Sequence, residues 1–103
     1  MAPTKELTTT PADQVPTIKE KELTTYCNAG IVQSIRLALI KDDAEGSKKY
    51  VFNVWARGTW ADKSEHLLIT HNSKRPRQWS SLDKAVKHIR EVYHYKGRVH
   101  LDL

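Results

Sequence analysis

The chain has 103 residues, with 17 Lys and Arg against 12 Asp and Glu, a net charge of +5 and one cysteine, Cys27. That length bounds it to one domain, with little room for both a scaffold and a catalytic pocket, so a binding role is the better expectation. A lone cysteine excludes an internal disulfide and a cysteine-rich zinc site, and no apolar run approaches the roughly 18 residues of a membrane span.

The opening Met-Ala-Pro-Thr-Lys lacks the apolar stretch of a secretory signal, and a reducing cytoplasm is the expected setting. Residues 1–25 are rich in Thr, carry Pro3, Pro11 and Pro16, and show no apolar period. Such a segment cannot bury enough surface to offset its ordering entropy, so it reads as a flexible tail, with room for a short, poorly capped helical turn near Lys19–Thr25. Residues 26–103 then form a single small α+β domain. Residues 1–26 hold three Lys and four acids, whereas residues 27–103 hold 14 Lys or Arg and eight acids. The positive charge therefore belongs to the folded part. It is dense around Lys74, Arg75, Arg77, Lys84, Lys87 and Arg90, the footprint expected for a polyanion partner.

Residues 31–41 read as the first strand, with Ile35, Leu37 and Leu39 alternating against Ser34, Arg36 and Ala38. Residues 42–47 form a hairpin loop in which Gly46 can take a positive φ. Residues 48–59 give the clearest strand. Tyr50, Phe52, Val54 and Ala56 point one way, and Lys49, Val51, Asn53, Trp55 and Arg57 the other. Residues 58–64 turn the chain. Residues 66–72 form a third strand, with Leu67 and Ile69 on one face and His66, Leu68 and Thr70 on the other. Residues 72–76 are a loop, and residues 77–79 a short fourth strand. Ser80-x-x-Asp83 has the form of a capping box. Leu82, Ala85, Val86, Ile89, Val92 and Tyr93 follow as one apolar helical stripe, closed by Gly97. Residues 98–103 alternate as a last strand. The expected fold is an antiparallel three- to four-stranded sheet packed on one C-terminal helix, with a short final strand.

A helix stripe covers one sheet face and leaves the other for water or a partner. On that second face Lys49, Asn53, Trp55 and Arg57 look outward, joined by Arg36, His66 and Thr70. An aromatic ring among cations is a stacking platform within a phosphate-tracking field. Lys74, Arg75 and Arg77, on the preceding loop, extend the basic surface. Trp79, at a strand-to-helix corner, reads as a core plug. No histidine pair has ligand spacing, so no metal is expected, and no cofactor. Gly-x-Ser-x-Gly, a phosphate loop and His-Glu-x-x-His are all missing, so no enzymatic activity is expected.

The run Lys-Arg-Pro-Arg-Gln-Trp-Ser-Ser-Leu-Asp-Lys-Ala, from Lys74 to Ala85, resembles small accessory proteins of bacterial plasmids and integrated mobile elements. The resemblance implies a mobile-element setting. The sheet-then-helix order is similar to the transcriptional-coactivator family of single-strand DNA binders, which work as dimers. The final strand departs from that plan.

The expected function is a non-enzymatic nucleic-acid-binding accessory protein that contacts its ligand, single-stranded DNA first, through Arg36, Lys49, Asn53, Trp55, Arg57, Lys74, Arg75 and Arg77. The alternative is a protein-interaction module, an inhibitor or adaptor, using the same face or an edge strand. A homodimer is among the expected states, because pairing buries more apolar surface.

Overall fold

The computed structural model describes residues 15–41, 49–61, 64–70 and 75–103. The elements run β1 (Thr17–Lys19), α1 (Glu20–Asn28), β2 (Val32–Lys41), β3 (Tyr50–Gly58), a 3-10 turn (Thr59–Ala61), β4 (His66–Ile69), β5 (Gln78–Trp79), α2 (Leu82–Glu91) and β6 (Val99–Asp102). They make one six-stranded sheet in the order β1-β4-β3-β2-β6, with β5 beside β3. The pairs β1–β4 and β2–β6 are parallel, and β2–β3, β3–β4 and β3–β5 are antiparallel.

This corrects the expected antiparallel sheet with a single C-terminal helix. Among the described residues the sheet is mixed and there are two α-helices, α1 preceding most of the strands and α2 before the last. From the pairings, β1, β2, β5 and β6 all run in the same direction. Parallel strands cannot be joined by a tight turn and need a long crossover, usually helical. Helix α1 supplies the crossover from β1 to β2, and α2 supplies it from β5 to β6. Both crossovers move the same way across the sheet. Sharing the one hand that such connections almost always take, they put both helices on the same face. The core agrees: Leu23 of α1 and Ala85 and Ile89 of α2 pack with Ile35, Leu37, Phe52, Val54, Ala56 and Leu68 in one cluster.

The boundary of the fold moves with this correction. Residues 17–25, expected as part of a flexible tail, include β1 and most of α1. Ile18 is 2% exposed and Leu23 fully buried. Leu23, Tyr26 and Cys27 sit at i, i+3 and i+4 and present one apolar side of the helix to the core. Glu20 and Glu22 lie in the first turn, where carboxylates suit the helix dipole. The Glu22 carboxylate accepts a 2.9 Å bond from the Lys19 backbone N–H. At the other end Gly30, at φ +73°, closes a Schellman motif: its N–H donates to Cys27 O, and the Ile31 N–H donates to Tyr26 O. Residues 1–14, and the loop expected at residues 42–47, lie outside the described residues.

The remaining elements match in type and shift in their ends. Strand β2 starts at Val32 with a bulge between Val32 and Ser34. The cap of α2 is Ser81, whose Oγ accepts from the Lys84 N–H at 3.3 Å, not Ser80. Helix α2 ends at Glu91, and the chain reverses at His94, φ 67°, well before Gly97. On β4 the expected faces are exchanged. Leu68 is fully buried in the core beneath the helices, while Leu67 pairs with Trp55 on the far face. His66 pairs with Ala56 on the helix side, beside the Trp60 ring at 5.8 Å. Three apolar residues in a row carry no period, so the pattern could not choose between them.

Candidate nucleic-acid interface

The alternation of β3 places Phe52, Val54 and Ala56 under the helices and Asn53, Trp55 and Arg57 on the far face. Cross-strand pairing brings Arg36 of β2 directly opposite Trp55, with the guanidinium 5.5 Å from the ring centroid. This cation is already committed. Its Nε and Nη2 each donate to Glu65 at 2.9 Å, and its Nη1 donates to Asp102 at 2.7 Å. The fork drives the Glu65 carboxyl below its ordinary range, chiefly through the hydrogen bonds from Arg36, with the Arg36 and Arg57 charges adding to it against the opposing effect of burial. Asn53 is 8% exposed, and its carbonyl accepts a 2.8 Å bond from Gln78 Nε2. The centre of this face is apolar and nearly closed, with Ala38, Val51, Leu67 and Ile69 each 8% exposed or less.

The other expected contacts scatter. Arg57 is exposed on the far face, and Lys49 is exposed at the head of β3. Arg75 is exposed, and its carbonyl accepts from the Thr70 N–H. Lys74 lies outside the described residues. Arg77 turns to the helix side, stacked over the Trp79 ring at 4.6 Å.

Arg77 belongs to a cluster that sequence reasoning missed. Glu20, at the start of α1, receives the Tyr93 hydroxyl at 2.5 Å on its Oε1. Arg77 Nε lies 3.4 Å from that oxygen and His88 Nε2 lies 3.9 Å away. Arg77 Nε is buried and makes no aligned hydrogen bond. His88 in turn packs between the rings of Trp79 and Tyr93, at 5.1 and 4.8 Å. Burial, then the Glu20 carboxylate, pushes the Tyr93 hydroxyl well above its ordinary value. Burial, then the Arg77 charge, lowers the His88 pKa, with Glu20 opposing. The cluster ties α1 to β5 and α2 through residues far apart in the chain. Assigning Glu20 to a tail hid it, although a carboxylate heading the Leu23–Tyr26–Cys27 stripe was the available signal.

Outside that cluster, α2 presents a different surface. Lys84 and Lys87 are exposed and, among the described residues, have no ion-pair partner. With Trp79, His88, Glu91 and Val92 they line a shallow cleft of about 320 Å³. A second cleft, of about 400 Å³, lies between the end of α1 and residues 94–98. Burial pushes the Cys27 thiol on its wall up to about 11, which leaves it protonated at neutral pH. No described helix is long and apolar enough to cross a membrane. Compared with protein-family models, curated proteins and solved structures, the chain matches none of them.

Proposed function

We propose that this chain is a non-enzymatic nucleic-acid-binding protein that meets the phosphate backbone with the surface built by β5, α2 and the segment leading to β6. One observation carries the reading. Residues 75–98 hold seven cations, Arg75, Arg77, Lys84, Lys87, Arg90, Lys96 and Arg98, against only Asp83 and Glu91. The rest of the chain is balanced, so the whole net charge of +5 sits in this segment. Six of the seven cations are exposed, Arg77 being the exception. A concentrated positive field of this kind favours a polyanion, because each phosphate neutralised releases counterions.

The expected sheet-face platform is the weaker surface. Arg36 there has its charge balanced by two carboxylates, and Asn53 is only 8% exposed with its carbonyl accepting from Gln78, so neither offers phosphate a free charge or an open contact. Lys84 and Lys87, at i and i+3, stand on one side of α2 about 5–6 Å apart at Cβ and can engage one strand together.

Fluorescence anisotropy with labelled single- and double-stranded oligonucleotides at two or more salt concentrations tests this. The expected result is binding that weakens with salt, and a Lys84→Ala/Lys87→Ala variant whose log–log salt slope is shallower by about 1.4 on single strands, about 0.7 for each phosphate that the variant no longer neutralises. Binding no tighter than about 100 μM at low salt, or a slope unchanged in the double variant, overturns it.

A further inference from the structure

Strand β6 is a sheet edge that is complementary to itself. Among the described residues it pairs with β2 on one side only. An unpaired edge presents a row of backbone donors and acceptors, which proteins blunt by keeping the strand short or charged, by proline or bulges, or with a cover. Residues 98–103, Arg-Val-His-Leu-Asp-Leu, contain no proline, and Leu101 is 49% exposed and Leu103 81%. The register with β2 puts His100 and Asp102 on the far face beside Arg36 and Ala38, and Val99 and Leu101 on the helix side beside Ile35 and Leu37.

An antiparallel pairing of two such strands keeps faces matched only where directly opposite residues have the same parity. Centring it on His100 sets Arg98 opposite Asp102 of a second copy, Val99 opposite Leu101, and His100 opposite itself. Two ion pairs then flank the central His100 pair on one face, and two apolar pairs lie on the other. Asp102 already accepts one bond from Arg36 but is 63% exposed, which leaves room for a second cation. Arg98 is exposed.

We infer that β6 is the interface of a symmetric homodimer in which two sheets join edge to edge through this register. The two-fold axis passes between the paired His100 residues, perpendicular to the sheet. Both copies of α2 therefore stand on the same face of one continuous sheet. The inference rests on the edge and its sequence, independently of any nucleic-acid ligand. An edge this short makes a small interface, at the weak end of specific association.

The register gives the test. Opposed antiparallel residues have Cα atoms about 4.5–5.5 Å apart, within disulfide range, whereas positions displaced by two residues exceed about 7 Å and cannot be bridged. In a Cys27→Ser background, His100→Cys should oxidise to a disulfide-linked dimer that reductant reverses. Leu101→Cys, facing Val99 of the other copy, should stay largely monomeric. Sedimentation of the unmodified chain from about 1 μM to about 1 mM should show a monomer–dimer equilibrium. Arg98→Asp, which opposes two carboxylates twice per interface, should weaken it at least tenfold. A chain that remains monomeric throughout, with His100→Cys linking no faster than Leu101→Cys, overturns the inference, as does capture of the edge by a different protein strand in preference to a second copy. Equal linking at both positions refutes the register.

Discussion

Replacing Leu23 by Ala tests whether the first helix belongs to the fold. Leu23 is fully buried and packs with Ile18, Leu68 and the α2 side chains in the common core. Truncating a fully buried Leu to Ala removes its transfer energy and leaves a cavity, together about 2–5 kcal/mol. A domain of this size has only about 5–15 kcal/mol in total. Each kcal/mol shifts the melting temperature of so small a domain by about 4–8 °C, so the variant should melt at least about 8 °C lower. Lys21→Ala, on the exposed side of the same helix, is the control. It alters the same element without touching the core, and should fall within about 0.5 kcal/mol of the parent. Thermal melts followed by circular dichroism at 222 nm measure both. A Leu23→Ala melting temperature within about 2 °C of the parent, indistinguishable from Lys21→Ala, refutes the reasoning that seats α1 on the sheet.

Three further outcomes follow from local chemistry. The Glu65 carboxyl is held below its unfolded value by Arg36, so its contribution is present above about pH 4.3 and is lost as pH falls through the folded value. The urea midpoint of the parent should therefore exceed that of Glu65→Gln at pH 6, and the gap should narrow as pH falls below about 4. His88 is the reverse case in charge: its folded pKa lies below the ordinary value of about 6.5, so the unfolded chain takes up the proton first. Stability should fall as pH drops through about 6.5, with a smaller fall in His88→Gln. Gly30→Ala meets no atom within 4 Å of the added Cβ but must hold φ +73°, so a backbone cost of about 1–2 kcal/mol, without steric clash, should appear in chemical denaturation.

Part of this architecture was legible in the residues, for reasons that can be named. The alternation Phe52-Asn53-Val54-Trp55-Ala56 sets the faces of β3 correctly, because the wholly apolar residues Phe52, Val54 and Ala56 share one parity and Asn53 and Trp55 the other. The α2 stripe is equally clear, since Ala85 and Ile89 recur at helical spacing and are both fully buried. Strand direction was not legible. A period of two says that Val99 and Leu101 share a face, but not that they run parallel to Ile35 and Leu37. Composition also misled: the Thr and Pro content of the first 25 residues outweighed Leu23, Tyr26, Cys27 and Gly30, which together spell an amphipathic helix with a C-terminal stop. For the interface, the basic density at residues 74–90 was visible, but the partners of Arg36 were not. Glu65, 29 positions away, meets it only once β4 pairs with β3, and Asp102, 66 positions away, only once β6 docks beside β2.

Where an oligonucleotide touches the protein decides between the α2 surface and the far face of the sheet. A ¹⁵N–¹H spectrum recorded during titration with a short single-stranded DNA reads every backbone amide and the three Trp indole groups at once. The largest shifts should fall on α2 and its approach, at Lys84, Lys87, Arg77 and the Trp79 indole, with Arg36 and Trp55 little changed. Shifts centred on Arg36, Trp55 and Arg57 with α2 unmoved, or a spectrum unaltered at saturating DNA, would contradict it.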